Sequence, residues 1–201
     1  TDINFNFNDK GKINKDYSIK GSVIGANFRL LNKQVIKNIN LSFDVKNNQY
    51  LIKDTKFEFN QTKLLSREIK ITNLNKYFLI KGDLKNPETL FNPESLSFYF
   101  KNNFKNLGFK NLNFSSDSNF SFRLNNKFKF SDINIKSKIN LKKLDYKFNN
   151  LKLKSYIPNY NGLFRLNDHK IVLAFNKDQL SFTGKGKFFI DKIFDEIDYD
   201  I

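Results

Sequence analysis

Apolar and polar residues alternate through most of the chain, most clearly from Phe120 to Leu141. Phe120, Phe122 and Leu124 share one parity, and Phe128 and Phe130 resume it after Asn125 to Lys127. Ile133 and Ile135 follow Ser131 and Asp132, and Ile139 and Leu141 follow Lys136 to Lys138. A side-chain period of two marks a strand with one apolar and one wet face, so this stretch reads as four short strands.

The theme recurs along the chain. Ile3, Phe5 and Phe7 precede a polar turn at Asp9 to Gly11. Ile39, Leu41, Phe43 and Val45 form a strand that turns through Lys46 to Gln49 into Tyr50 and Ile52, a hairpin signal. Phe57 and Phe59, then Ile69 and Ile71, then a turn at Asn73 to Lys76 lead to Phe78, Ile80 and Leu84. Ile171, Leu173 and Phe175 return after a turn at Asn167 to His169, and Leu180 and Phe182 follow another at Asn176 to Gln179. The alternation changes phase at Val23–Ile24, where Gly25 supports a bulge or bend, and again near Asp54. Two loops are expected, one at 86–95, which holds two of the three prolines, and one at 156–162.

No window carries sustained helical periodicity. The pattern predicts an all-β fold, an antiparallel meander of about fourteen or more short strands, and the glycine placement favours a curved sheet. No Met stands even at position 1, which fits a mature form or an excised piece of a longer protein, and residues 1–201 are expected to be one β-rich segment of a larger protein. Three apolar-x-Gly steps, Ile19-Lys20-Gly21, Ile80-Lys81-Gly82 and Phe182-Thr183-Gly184, put glycine at apolar-face positions. Glycine there permits bending of the sheet or close approach by another group.

Composition narrows the function. The 24 Phe bring enough apolar surface for a folded state, and the formal charge is +15. Of 35 basic residues only Arg29, Arg67, Arg123 and Arg165 are arginine, the residue on which bidentate nucleic-acid contacts depend. Stacking on single strands would also need aromatics and lysines on one face, whereas the alternation separates them. No nucleic-acid partner is expected. The absence of Cys removes disulfides, thiol nucleophiles and thiolate metal sites.

No catalytic constellation is visible. His169 is the only histidine and reads as a surface turn residue, without a second His or Cys to share a metal. The acids Asp191, Asp195, Glu196, Asp198 and Asp200 form the densest carboxylate cluster, better read as a solvated strand face than a calcium site. Gly184-Lys185-Gly186-Lys187 lacks the spacing of a phosphate loop and reads as strand. No catalytic residue, metal or cofactor is expected, and the chain is not expected to be an enzyme.

A sheet with one apolar face must cover it, as a sandwich, a barrel or a trough. About fourteen strands would make a trough on the order of 60–70 Å long, which suits a conduit better than a single pocket.

From Leu141 to Ile201 the chain runs through NLKLKSYIPNYNG, the strands FRL, IVLAF and LSF, TGKGKFFI and the tail DEIDYDI. This order resembles the AsmA-like family of large envelope proteins, particularly bridge-like members with a central domain of unknown function. The resemblance implies a curled β-groove and phospholipid movement between the inner and outer membranes in outer-membrane biogenesis. It also implies a periplasmic location, with an inner-membrane anchor outside this chain. On that reading acyl lipid lies along Ile39, Leu41, Phe43, Val45, Ile69, Ile71, Phe120, Phe122, Leu124, Phe128, Phe130, Ile133, Ile135, Ile139, Leu141, Ile171, Leu173, Phe175, Leu180 and Phe182. Envelope proteins would be further partners. A β-sandwich interaction or adhesion module with a closed core is the alternative.

Overall fold

The computed structural model describes residues 1–12, 17–29, 35–47, 49–59, 62–91, 109–147, 156, 162–177, 179–190 and 193–200. Eleven strands follow one another through a sheet in chain order. They are β1 (Asp2–Asn4), β2 (Ser18–Arg29), β3 (Val35–Lys46), β4 (Gln49–Phe59), β5 (Thr62–Asn73), β6 (Tyr77–Phe91), β7 (Phe109–Asn125), β8 (Phe130–Lys147), β9 (Leu163–Asn176), β10 (Gln179–Ile190) and β11 (Ile193–Asp200). Neighbours from β1 to β6, and β10 with β11, pair antiparallel. The chain is therefore the expected all-β antiparallel meander, and Tyr156 is the one helical residue among those described.

It divides into two compact units. The first comprises Thr1–Asn86, Asp117–Lys136 and Phe175–Gln179, and the second Pro87–Ser116, Ser137–Ala174 and Leu180–Ile201.

Among the described residues the strands are longer than the alternation suggests. Phe120 to Leu141 is not four strands but parts of two, β7 with 17 residues and β8 with 18. Ser131–Asp132 and Lys136–Lys138 lie inside β8, and the expected turn at Asn167 to His169 lies inside β9. Asn86 to Phe91, the first part of the expected 86–95 loop, continues β6, with Asn86, Thr89 and Phe91 buried. Burial changes parity around Pro87, the kind of irregularity where a residue without an N–H is tolerated in a strand. Residues 92–95, and all of the 156–162 loop but Tyr156 and Gly162, lie outside the described residues.

Lys136 to Lys138 keeps the alternation, with Ser137 buried, and the other insertions are bulges. Asn38, Asp54, Asp132 and Asp168 all have positive φ, between 49° and 54°, as does Gly25 at 66°. Asn and Asp tolerate this left-handed backbone better than other side chains, and Gly has no Cβ to obstruct it. At Gly25, Asn38 and Asp54 the register shifts as well. β2 advances three residues from Val23 to Ala26 while β3 advances two, and β4 advances three from Lys53 to Lys56 against two in β3. The phase changes at Gly25 and near Asp54 are therefore bulges.

Neighbouring strands satisfy the displaced amides. Gly25 N donates to Asn40 Oδ1 at 3.1 Å and Asn38 N to Asn27 Oδ1 at 3.2 Å. In β5, which advances from Leu65 to Ile69 while β6 covers Gly82 to Lys85, Arg67 N and Glu68 N donate to Asp83 Oδ2 and Oδ1 at 3.1 and 3.0 Å.

The expected turns at Asp9–Gly11, Asn47, Asn73–Lys76 and Lys177 are formed. Asn73 Oδ1 accepts from Asn75 N at 3.0 Å, an Asx turn of the kind that favours asparagine there.

Candidate functional site

In the first unit the register assembles an apolar surface strand by strand. Direct Cα partners in an antiparallel pair share a face. Ile19, Val45, Tyr50, Ile71 and Ile80 form one transverse row across β2 to β6, and Gly21, Phe43, Ile52, Ile69 and Gly82 form the next. The bulges hold further apolar residues to the same side, pairing Val23 with Leu41, Ala26 with Ile39 and Phe57 with Leu64. Phe120 continues the second row, its Cζ 3.0 Å from where a Cβ on Gly82 would stand. Its ring stacks on Phe122 at 5.9 Å, and Phe122 meets Phe130 at 5.3 Å.

This surface is only half covered. Ile39, Leu41, Phe43, Val45, Ile69, Ile71, Phe120, Phe122, Leu124, Ile133, Ile135 and Phe175 are all partly exposed, and Phe130 is 61% exposed. Phe128 is 79% exposed and lies in the turn between β7 and β8 rather than in a strand, with φ at 55° and its N–H bonded to Asn125 O. Among the described residues the buried apolar side chains are Phe91, Leu141 and Ile190, all of the second unit.

The expected lining residues of the second unit are more varied. Leu141 is buried, Ile139, Ile171, Leu173 and Phe182 are half-buried, and Leu180 is 59% exposed. Tyr146, Phe164 and Phe188 form an aromatic row across β8, β9 and β10, with centroids 6.3 and 5.6 Å apart.

His169 corrects its sequence reading outright. It lies within β9, is 1% exposed, and is the most buried large side chain described. Its Nε2 lies 3.1 Å from Lys187 O, and its ring occupies the space over Gly186, where a Cβ would come within 2.4 Å of it. The bulge at Asp168 turns the side chain inward.

Gly186 shares this role with Gly21, over which the Phe43 ring lies, and with Gly82. Each glycine makes room for a ring from the adjacent strand, so the close approach is by a side chain of the sheet itself.

Two carboxylates missed by the alternation are buried. Asp83 clamps the β5 bulge and also accepts from Arg67 Nε at 3.4 Å. Burial pushes its pKa up, but the two backbone N–H groups and the guanidinium outweigh this and hold it below the usual carboxylate range. Asp145 accepts from Asn111 Nδ2, Lys143 Nζ and Arg165 Nε at 3.1 to 3.2 Å. Burial again pushes upward, and these side chains together hold the carboxyl low. The only sequence signal for either was an acid between two apolar neighbours, Gly82-Asp83-Leu84 and Leu144-Asp145-Tyr146.

A cleft of about 550 Å³ in the first unit is lined by Asp54, Thr55, Lys56, Leu65, Ser66, Arg67, Asp83, Lys85 and Asp117. Its acids are interleaved with bases, and Asp83 is committed to the bulge. Among the described residues no group of three or more His, Cys, Asp or Glu is placed to hold a metal ion. The acids of β11 stand in register with β10, Lys185 opposite Asp198 and Lys187 opposite Glu196. Asp191 lies outside the described residues.

The fold defines an antiparallel meander, and the register of its first unit assembles an apolar sheet face. No family model, curated protein or solved structure matches the chain. The AsmA-like resemblance therefore rests on the residues quoted above.

Proposed function

We propose that the chain is a non-enzymatic segment of an AsmA-like envelope protein that shields phospholipid acyl chains on the apolar face of its sheet. The observation that supports this is the register-aligned apolar surface of β2 to β7, none of whose described side chains in the first unit is fully buried. Half-exposed Phe, Ile and Leu keep contact with water until something apolar covers them. Each methylene laid on such a face recovers about 0.8 kcal/mol when fully removed from water. Lysines at the alternate positions, such as the cross-strand partners Lys70 and Lys81, keep the opposite face wet.

In this role the segment lies in the periplasm, tethered to the inner membrane by a region beyond this chain. It passes lipid between the two membranes, with envelope proteins as neighbours. The test is purification followed by lipid mass spectrometry, with photocrosslinkers at Phe122 and Phe130. Co-purified phospholipid and lipid adducts at both positions are expected. No lipid, and crosslinks to protein alone, would overturn the proposal in favour of an interaction or adhesion module with a closed core.

A further inference from the structure

The left-handed turn position is Asn47 between β3 and β4, Asn75 between β5 and β6 and Lys177 between β9 and β10, but Phe128 between β7 and β8. A positive φ suits asparagine and is costly for a bulky side chain with no polar group to bond locally. Phe128 has φ at 55° and is 79% exposed, so burial returns little of that cost. The turn beneath it is firmly held. Asn125 Oδ1 accepts from Lys127 N and Lys129 N at 2.9 and 3.0 Å, and Asn125 O accepts from Phe128 N at 2.9 Å. The ring is thus presented to solvent on a fixed backbone. A strained position where asparagine would serve the fold better points to a use outside the fold.

The neighbouring turns indicate what the ring meets. Gln49 pairs with Thr72, and the Arg123 guanidinium lies 4.7 Å from the Tyr77 ring centroid, so the β3–β4, β5–β6 and β7–β8 turns lie side by side in the first unit. Lys46, Lys76, Lys127 and Lys129 are exposed there, and Leu74 is 41% exposed. Residues 46–49, 73–76 and 125–129 contain no acid. Asp44 and Asp132, the acids closest to these turns in sequence, are paired with Lys20 and Arg123. Exposed apolar side chains among unopposed lysines fit the interface of an anionic bilayer, where aromatic rings sit at head-group level and lysines meet phosphate.

We propose that the β7–β8 turn is a membrane-contact tip, inserting Phe128 into the interface of an anionic phospholipid bilayer while Lys127 and Lys129 bind its phosphates. The adjacent turns add Leu74, Lys46 and Lys76. The contact is with an intact bilayer and needs no acyl chain on the sheet face.

The chain has no tryptophan, so Phe128→Trp supplies a sole fluorophore. Vesicles of equal parts phosphatidylcholine and phosphatidylglycerol should shift its emission to the blue, and brominated lipid should quench it. Ile24→Trp, at a position 83% exposed on β2, should respond to neither. The contrast locates the contact, since a net charge of +15 draws every face towards an anionic surface. Phe128→Asn should weaken vesicle binding by about tenfold yet leave the urea midpoint equal or higher, because asparagine suits the left-handed turn. Lys127→Gln and Lys129→Gln should each cost about fivefold, and binding should fall with salt. Lipid that co-purifies with the chain should be unchanged in Phe128→Asn, and its loss would assign the ring to the acyl-shielding surface instead. An unshifted Phe128→Trp, equal shifts at both positions, or an equal shift with pure phosphatidylcholine or a single-stranded oligonucleotide would each overturn the proposal. So would a Phe128→Asn chain that binds like the parent or loses stability.

Discussion

The two units handle the same β-sheet chemistry differently. In the first, apolar residues of β2 to β7 line up in register yet stay half-exposed. In the second, Phe91, Leu141 and Ile190 are buried and His169 is sealed over Gly186. The same alternation of apolar and polar residues thus leaves every described apolar side chain of the first unit part-exposed and buries three in the second. Alternation fixes which face is apolar, but not what covers that face. The three ring-bearing glycines show the difference at single-atom scale. A Cβ on Gly186 meets the His169 ring at 2.4 Å and its Cα at 2.7 Å, so both ring and backbone stand in the way. A Cβ on Gly21 meets only the far tip of Phe43 and the Thr1 hydroxyl, which can move.

The largest expected effect follows from that contrast. Gly186→Ala should destabilise the chain by about 2–3 kcal/mol, the upper part of the range for inserting a methyl into a packed site. Gly82→Ala, limited by Glu68 O at 2.9 Å, should cost less, roughly 1–2 kcal/mol, and Gly21→Ala under about 1 kcal/mol. Urea denaturation of the three variants measures the order. Equal losses at Gly186 and Gly21 would erase the distinction between packed and open units. His169→Ala placed on Gly186→Ala should recover part of the loss, a coupling that a double-mutant cycle reads directly.

The buried carboxylates extend the comparison. Asp83 serves two backbone amides that cannot turn elsewhere, whereas Asp145 serves three side chains, of which Lys143 and Arg165 are half-exposed and can turn to water. Asp83→Ala should therefore cost about 1–3 kcal/mol, and Asp145→Ala roughly half as much. Both carboxyls titrate below the usual range when folded, so both add stability that is fully present above their unfolded pKa, near 3.8. That stability is lost as pH falls through the lower folded values. Acid titration of the unfolding free energy should show a drop below about pH 4 that shrinks in either variant. A variant with the parental acid slope would show that its carboxylate is not held as the geometry requires.

The fold class was legible because a period of two survives almost everywhere, and the turns at Asn47 and Asn75 carry the residue type that turns demand. Strand length was not legible, because Asn and Asp serve turns and bulges alike. Spacing would have separated them. At each of five bulges, inward residues stand three apart with the left-handed residue just before the second: Val23-Ile24-Gly25-Ala26, Ile36-Lys37-Asn38-Ile39, Ile52-Lys53-Asp54-Thr55, Phe130-Ser131-Asp132-Ile133 and Leu166-Asn167-Asp168-His169. Turns leave wider gaps, as from Val45 to Tyr50. Read this way, His169 falls on the inward side without any structure. The burial of Asp83 and Asp145 could not be read so, because it depends on partners 15 to 34 residues away in sequence.

That spacing rule makes a smaller prediction. Asp54→Ala and Asp168→Ala keep the residue count but place an ordinary side chain at φ of 51° and 54°, for a loss of about 1 kcal/mol each. Asp→Gly at the same positions should be close to neutral, since glycine accepts the conformation without strain. If the alanine variants matched the glycine ones, the backbone at those positions would not be held left-handed.

The smallest effect is expected where the first unit is most exposed. Arg123 Nη1 reaches Asp132 Oδ2 at 2.8 Å and its guanidinium lies 4.7 Å from the Tyr77 ring centroid, close in sequence to Phe122 and Phe130. Both charged side chains are nearly half-exposed, so solvent screens the pair and the ring adds only a surface-level attraction. Arg123→Ala should lower stability by only about 0.2–1 kcal/mol, and the difference should fade in high salt. The informative measurement is lipid crosslinking at Phe122 in this variant. Unchanged crosslinking would assign lipid contact to the aromatic surface alone, and its loss would show that the Arg123 bridge between β7 and β8 holds that surface in place.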